Sequence, residues 1–128
     1  MRIHLESGTP AELAVPTDAE PTRGLVVIPD IGGLRPLFDD HVARLARETG
    51  WSVCAFELWP GEEHLSVPER LERVGTKVDE RVLEDAVSAA DATRCDTVGV
   101  IGFCMGGMYA IKAAAAGRFH RAVSFYGM

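Results

Sequence analysis

The sequence predicts an α/β fold, with a mostly parallel sheet, helices on both faces, an N-terminal β-hairpin and a single domain spanning residues 1–128. Three observations predict this class. Short, continuous apolar runs, typical of strands buried on both faces, alternate with longer segments of helical periodicity. Turn-forming residues separate the two kinds of segment. The repeated strand–helix–strand order implies parallel strands joined by right-handed crossovers.

The first half of the chain predicts a hairpin, two strands and a helix. Residues 3–7 and 12–15 flank a Gly-Thr-Pro turn, which favours an antiparallel hairpin. Gly24–Ile28 is a continuous apolar run and predicts a buried strand. Pro36–Thr49 has apolar residues at helical spacing and is followed by glycine, so it predicts a helix. Residues 51–56 predict the next strand.

The second half predicts three helices and two strands. Residues 67–74 predict a short helix and residues 78–93 a longer one. The apolar stripe expected on the longer helix is Val78, Val82, Ala86 and Ala90. Residues 97–101 predict a strand, residues 105–116 a helix, and Arg121–Phe125 a final strand. Because residues 105–116 are apolar nearly all round, we expect that helix to be the central buried one.

Composition and charge restrict the classes of function. Hydrophobic residues make up 47% and charged residues 25%, as in ordinary globular domains. A net charge of −6 argues against nucleic acid and against anionic membrane surfaces as partners. No apolar run approaches the ~20 residues that span a bilayer, and the N-terminus lacks the apolar core of a signal peptide.

The cysteines and glycines give expectations about location and cofactors. The chain has three cysteines at no framework spacing, so we expect a reducing, cytoplasmic environment. Cys54 and Cys95 lie in or beside apolar strands, and we interpret both as structural. Metal-binding clusters, phosphate loops and dinucleotide fingerprints are absent from the sequence, so no metal and no cofactor is expected.

Cys104 is the leading candidate for a catalytic residue. It lies between a β-type run and a helical run, with Gly102 and Gly106 two residues to either side. This is the pattern of a nucleophile elbow, with cysteine where serine is commoner. The glycines are expected because residues at those offsets pack against each other and a Cβ would clash. The helix N-terminus favours a thiolate and a developing oxyanion, and the Met105 amide can donate to that oxyanion.

A second turn is predicted at the same edge of the sheet. Asp30, Ile31, Gly32 and Gly33 follow the strand Gly24–Ile28, and sites in open α/β sheets form at the carboxyl ends of strands. The Ile31 amide is the candidate for the second oxyanion donor. We expect the two glycines to let a ligand approach the backbone, although a plain turn explains them equally well.

Three segments, residues 26–33, 54–61 and 102–107, resemble the dienelactone hydrolase family of α/β-hydrolases. Residues 124–127 resemble the next strand of that family. The resemblance implies an α/β-hydrolase-like domain that stops before the last strands of the family's fold. It also implies a Cys-His-Asp triad that hydrolyses esters or lactones of small carboxylic acids, with Cys104 as the nucleophile and with Ile31 and Met105 as the oxyanion-hole amides.

The family has a glutamate at the position that aligns with Asp30, and that glutamate contacts the resting cysteine and helps to activate it. Aspartate is one methylene shorter, so Asp30 either keeps this catalytic role or caps the turn.

The triad's histidine and aspartate have no counterparts in this sequence, because they follow later strands of the family's fold. His120 is expected at the opposite edge of the sheet, His41 is expected to pack on its helix, and His64 is expected on a surface loop. The strand Arg121–Phe125 is expected to be an open edge. We therefore expect it to pair with another copy of the chain or with a complementing C-terminal fragment.

Two other classes of function stay open at this level. Glutamine amidotransferases also place a cysteine on a strand–helix elbow near an acidic residue. Alternatively, the domain is a catalytically incomplete interaction module or a redox-sensing module built around Cys104. The substrate expected for the hydrolase is a small ester or lactone, which the sequence does not specify further.

Overall fold

The structure, a computed structural model, describes residues 1–127. Six strands and four α-helices form within this range, and a 3₁₀ turn directly follows two of the helices. In chain order they are β1 (Arg2–His4), β2 (Pro10–Ala14), β3 (Gly24–Ile28), α1 (Pro36–Thr49), β4 (Ser52–Phe56), α2 (Val67–Arg73) with the 3₁₀ turn Val74–Thr76, α3 (Asp79–Ala92), β5 (Val98–Phe103), α4 (Met105–Ala113) with the 3₁₀ turn Ala114–Ala116, and β6 (Arg121–Phe125).

The strands form one sheet in the order β1-β2-β4-β3-β5-β6. The first two strands are the predicted hairpin, and β2 pairs antiparallel with β4. The remaining four strands, β4, β3, β5 and β6, are mutually parallel. Because the chain leaves β3 to one side for β4 and later returns to its other side as β5, the switch point lies at β3. In open α/β sheets, this is where a ligand crevice forms, beyond the carboxyl ends of the strands.

Helices cover both faces of the sheet. Alternate residues of β3 point to opposite faces, so Leu25 and Val27 pack under α1 while Val26 and Ile28 pack under α3 and α4. Two apolar cores result, and β3 and β4 are buried along their whole length. The continuous apolar run that predicted a doubly covered strand at Gly24–Ile28 is confirmed, residue for residue.

The predicted elements are present with small differences in their bounds, and one expectation was wrong. Val78 precedes α3 as its cap and is 58% exposed, so it does not belong to the apolar stripe. The helix expected to be the central buried one is α4, and six of its nine residues are buried. Ile111 is 62% exposed because α4 lies on the sheet with α3 along one flank and has no other helix of the described chain against its outer face.

The last strand, β6, is the open edge that was predicted. It pairs with β5 on one side only, and four of its five residues are exposed. On the α1 side of the sheet, Val123 and Phe125 of β6 are 45% and 43% exposed, since α1 lies mainly against β4 and β2 and stops short of this edge. None of the helices in the described part of the chain is long and apolar enough to cross a bilayer.

Candidate active site

Cys104 occupies a strained turn between β5 and α4. Its backbone has φ 57° and ψ −115°, a conformation that residues with a Cβ rarely adopt. It forms the N-terminal cap of α4, and its carbonyl accepts the amides of Gly107 and Met108 at 2.9 and 3.2 Å. Its own amide donates to the Phe125 carbonyl at 2.8 Å, which ties the turn to the end of β6. The local structure is therefore a sharp strand-to-helix turn with a thiol at its apex.

Two glycines make this turn possible through close backbone contacts. A Cβ on Gly102 would overlap the carbonyl group of Gly106, so the end of β5 and the first turn of α4 touch directly. A Cβ on Gly106 would overlap the carbonyls of Ile28 and Pro29. The same residue thus brings the start of α4 onto the end of β3. The sequence-based reason for both glycines agrees with this geometry.

Register places the second turn beside the first. Ile28 of β3 pairs with Gly102 of β5, so Asp30 and Cys104 each follow that pair by two residues at the same edge of the sheet. The structure therefore brings Cys104, Met105, Asp30 and Ile31 to one end of two adjacent parallel strands. All four belong to the set that the sequence predicted.

Asp30 folds its side chain back over its own turn. One carboxylate oxygen, Oδ1, accepts the Gly32 amide at 2.9 Å and Nη1 of Arg35 at 2.7 Å, and Oδ2 accepts Nη2 of Arg35 at 3.0 Å. Burial raises the pKa of the Asp30 carboxyl, but the Arg35 and Gly32 hydrogen bonds and the charge of Arg35 together lower it below its ordinary value. These contacts are those of the turn-capping alternative.

The two glycines of this turn make room for protein side chains. A Cβ on Gly32 would overlap the guanidinium of Arg35, and a Cβ on Gly33 would overlap the Glu57 carboxylate. Gly33 also has φ +70°, which favours glycine. Protein side chains therefore take the space beside each glycine, as in a plain turn, while Gly32 also lines the cleft. The approach of a ligand to this backbone stays a prediction.

Glu57 supports the turn after β3, and the sequence did not predict this role. It directly follows β4 and is buried, and its carboxylate accepts the amides of Leu34 at 3.2 Å and Trp59 at 2.9 Å. Burial raises the pKa of this carboxyl, outweighing the two amides and the charge of Arg70, which lower it. The available signal was an acidic residue at the end of an otherwise apolar strand, where buried carboxylates need backbone partners.

The two turns form one wall of an open cleft of about 800 Å³. Cys104, Asp30, Ile31, Arg35 and Arg70 all line it. The lining also includes apolar and aromatic side chains, which are Leu37, Phe38, His41, Leu65, Val67, Phe103 and Tyr126. The thiol of Cys104 therefore shares the cleft with both charged and apolar side chains.

His41 is the histidine of the described chain that lines this cleft. Its ring packs on Phe38 and Phe103, with centroid distances of 6.2 and 5.5 Å. Burial and the charge of Arg44 lower the pKa of the imidazole, so the ring is neutral at neutral pH. The sequence predicted that His41 packs on its helix, which these ring contacts confirm, but it did not predict that His41 lines the cleft.

The other cysteines and histidines lie elsewhere. Cys54 is fully buried in β4, and burial raises the pKa of its thiol to about 12. Cys95 is also buried. His64 is exposed on its loop, and the His120 amide bonds to the Val98 carbonyl at the amino end of β5, away from the cleft. Among residues 1–127, no group of three or more His, Cys, Asp or Glu side chains is placed to hold a metal ion.

Comparison with known proteins identifies the relatives of this architecture. The family model of the dienelactone hydrolase family matches residues 9–128. A Bradyrhizobium protein named as a probable 2-oxo-3-(5-oxofuran-2-ylidene)propanoate lactonase is 32% identical over 92% of this chain and 51% of its own length. Carboxymethylenebutenolidase 2 of Cupriavidus pinatubonensis is 28% identical over 82% of this chain and 46% of its own length.

A solved structure has the same fold. A Klebsiella pneumoniae protein assigned as a dienelactone hydrolase superposes with a TM-score of 0.81 at 29% identity, covering 93% of this chain and 54% of that one. The fold is that of the α/β-hydrolases, and the chain belongs to the dienelactone hydrolase family. It spans about half the length of the curated relatives that it matches.

Proposed function

We propose that this chain carries the nucleophile and the oxyanion-binding part of a cysteine-dependent hydrolase that acts on small carboxylic esters or lactones. The observation that supports it most is the position of Cys104, at φ 57° on the turn into α4 and beside the turn after β3. The membership of the chain in a hydrolase family supports the reaction class. The names of the two curated relatives favour a lactone as substrate.

The proposed reaction begins when the Cys104 thiolate attacks the carbonyl carbon and forms a carbon–sulfur bond. The carbonyl oxygen becomes an oxyanion, which the amides of Ile31 and Met105 stabilise. Neither amide donates a hydrogen bond to any of residues 1–127, so both are available for this purpose. The carbon–oxygen bond to the leaving group then breaks, the released alkoxide takes a proton, and an acyl thioester on Cys104 remains for water to hydrolyse.

The base that activates Cys104 and water is proposed to come from outside this chain, from further sequence or from a partner. His41 is neutral and lies in the cleft, but its ring is stacked on Phe38 and tilted against Phe103 in an aromatic cluster. The thiol alone has little acyl-transfer power because the members of a catalytic triad act as a unit. Asp30 is proposed to hold the turn after β3 in shape through its hydrogen bonds to Arg35 and to the Gly32 amide, and so to act on the reaction indirectly.

The exposed edge β6 is the proposed attachment point for that second segment. An unpaired strand presents free backbone donors and acceptors, and the exposed side chains of Val123 and Phe125 add an apolar surface next to it. The segment is either a second copy of this chain or a complementing C-terminal fragment. A clean monomer by light scattering, with slow amide exchange in β6, would contradict this pairing.

Activity measurements test the reaction class. The chain and its Cys104→Ala variant are incubated with para-nitrophenyl acetate, dihydrocoumarin and glutamine, with the chain's native partner or remaining sequence present where one is found. We expect ester and lactone cleavage that depends on Cys104 and no ammonia from glutamine. Glutamine hydrolysis without ester cleavage would favour the amidotransferase. An unchanged cellular function in Cys104→Ala would favour a non-catalytic or interaction module.

A further inference from the structure

Arg70 is a buried cation that binds backbone carbonyls instead of a carboxylate. It lies on α2, is 6% exposed, and its guanidinium carbon is 5.9 Å from the centre of the Trp59 ring. Its Nε, Nη1 and Nη2 groups donate to the carbonyls of Leu65 at 3.1 Å, Ile31 at 3.0 Å and Glu63 at 2.8 Å. Among residues 1–127, no carboxylate oxygen forms an ion pair with this guanidinium, whereas the nearby Arg73 pairs with Glu62.

Burying such a charge is costly, so the carbonyls that compensate it must be well placed. Removing a cation from water costs several kcal/mol unless hydrogen bonds replace its hydration. The three donor groups of Arg70 replace its lost hydration with hydrogen bonds to two loops, the 63–65 loop before α2 and the turn after β3. The contact with Ile31 spans 39 positions of the sequence and joins α2 to the cleft wall.

The peptide groups on both sides of Ile31 are held in place. The carbonyl of the preceding peptide, on Asp30, accepts the Gly33 amide at 3.0 Å. Because a peptide group is planar, fixing that carbonyl also fixes the direction of the Ile31 N–H. The following peptide is held at its carbonyl by Arg70 and at its N–H by Asp30, which accepts the Gly32 amide at 2.9 Å. Of these contacts, the one from Arg70 comes from outside the turn.

We infer that Arg70 is a positioning residue: by holding the Ile31 carbonyl from outside the turn, it restricts the backbone at Ile31 and keeps the Ile31 N–H oriented as an oxyanion donor before substrate arrives. The inference rests on the proposed function, in which Ile31 supplies one of two donors. Donors that are already oriented require no reorganisation when the oxyanion forms, which is the source of their effect on rate. Arg70 therefore acts on the acylation step through Ile31, without touching the reacting atoms.

The test compares two reactions of the same thiol. Acylation of Cys104 by para-nitrophenyl acetate passes through an oxyanion, whereas alkylation by iodoacetamide does not. Single-turnover rate constants for both are measured for the wild type, Arg70→Met, Arg70→Lys and the matched control Arg73→Met, at a mildly alkaline pH. We expect Arg70→Met to slow acylation roughly tenfold or more, given that losing a whole oxyanion donor costs about 10²–10³, and to leave alkylation within about twofold.

The conservative variant and the control make the expectation sharper. Lysine keeps the charge but cannot reach three carbonyls at once, so Arg70→Lys should recover part of the acylation rate. Arg73→Met should change neither rate, because Arg73 is exposed and paired at the surface. Hydrogen exchange gives a readout independent of activity: Arg70→Met should speed exchange at the Gly32 and Gly33 amides, while exchange in β3 stays slow.

Other outcomes overturn the inference. Unchanged acylation in Arg70→Met, or equal losses in acylation and alkylation, would mean that Arg70 does not act through the oxyanion donor. Unfolding of both Arg70 variants would assign the residue to global stability. A wild type that is never acylated, although Cys104 is alkylated, would refute the proposed function itself and the oxyanion role with it. Each failure is thus distinguishable from the others.

Discussion

Replacing Gly102 with alanine should open the turn that carries Cys104. The new Cβ would overlap the Gly106 carbonyl and lie 2.8 Å from the Gly107 amide nitrogen, so backbone atoms must move. Gly106 has little room to retreat, because it is itself packed against the carbonyls of Ile28 and Pro29. Overpacking typically costs 1–3 kcal/mol, and a clash with backbone on both sides belongs at the top of that range, about 3 kcal/mol.

Gly99→Ala is a matched control on the same strand. A Cβ there would be 3.6 Å from the Arg121 carbonyl oxygen and from a methyl carbon of Leu25, which is ordinary contact. We expect a change in the free energy of unfolding within about 1 kcal/mol, of either sign. Urea denaturation followed by circular dichroism measures both variants. At a slope of about 2 kcal/mol per molar, Gly102→Ala should lower the midpoint by about 1.5 M. Equal midpoints for the two variants would refute the close contact and its role in the turn.

Three further predictions follow from charges and burial. Iodoacetamide at neutral pH should modify Cys104 and leave Cys54 unmodified, since burial raises the pKa of the Cys54 thiol to about 12. Peptide mapping checks this, and labelling of Cys54 before Cys104 would contradict it. The stability of the wild type relative to Glu57→Gln should fall as the pH rises from about 4 to about 7. The reason is that burial raises the pKa of Glu57, so this carboxyl loses its proton at a lower pH in the unfolded chain than in the folded one. Urea titrations in which the difference in the free energy of unfolding stays constant or grows in favour of the wild type would contradict this. A double-mutant cycle with Asp30→Asn and Arg35→Gln should give a coupling free energy of about 0.5–1 kcal/mol, since the pair is about one-third exposed. Neither substitution should change the rate at which iodoacetamide alkylates Cys104. Slower alkylation in Asp30→Asn alone would instead support a direct role of Asp30 in activating the thiol.

Local sequence patterns predicted most of the fold because each element follows from periodicity and from the turn residues around it. Gly24–Ile28 was predicted correctly since a continuous apolar run of that length suits a strand covered on both faces. Pro36–Thr49 was predicted correctly since proline and glycine mark its ends. The exposure of Ile111 on α4 was not predicted, because composition gives the character of a helix and not the number of elements that pack against it.

The site was only partly predictable. Local spacing defines the elbow and the β3 turn, so the sequence predicted that Cys104, Met105 and Ile31 lie at one edge of the sheet, where the structure has them. Their catalytic roles stay predictions. Arg70 and Glu57 were not identified, because their roles depend on contacts 39 and 23 positions away, with Ile31 and Leu34. The packing of Glu57 against Gly33 was not predicted for the same reason, since Glu57 comes from the end of β4.

The central claim is that Cys104 is the residue that receives the acyl group. The most direct measurement is peptide mapping by mass spectrometry of the chain quenched in acid after brief exposure to para-nitrophenyl acetate. At a mildly alkaline pH, we expect an acetyl thioester on Cys104 that is labile to hydroxylamine, absent from Cys54 and Cys95, and missing in Cys104→Ala. An unmodified Cys104 at that pH, in a folded chain whose Cys104 still reacts with iodoacetamide, would contradict this role.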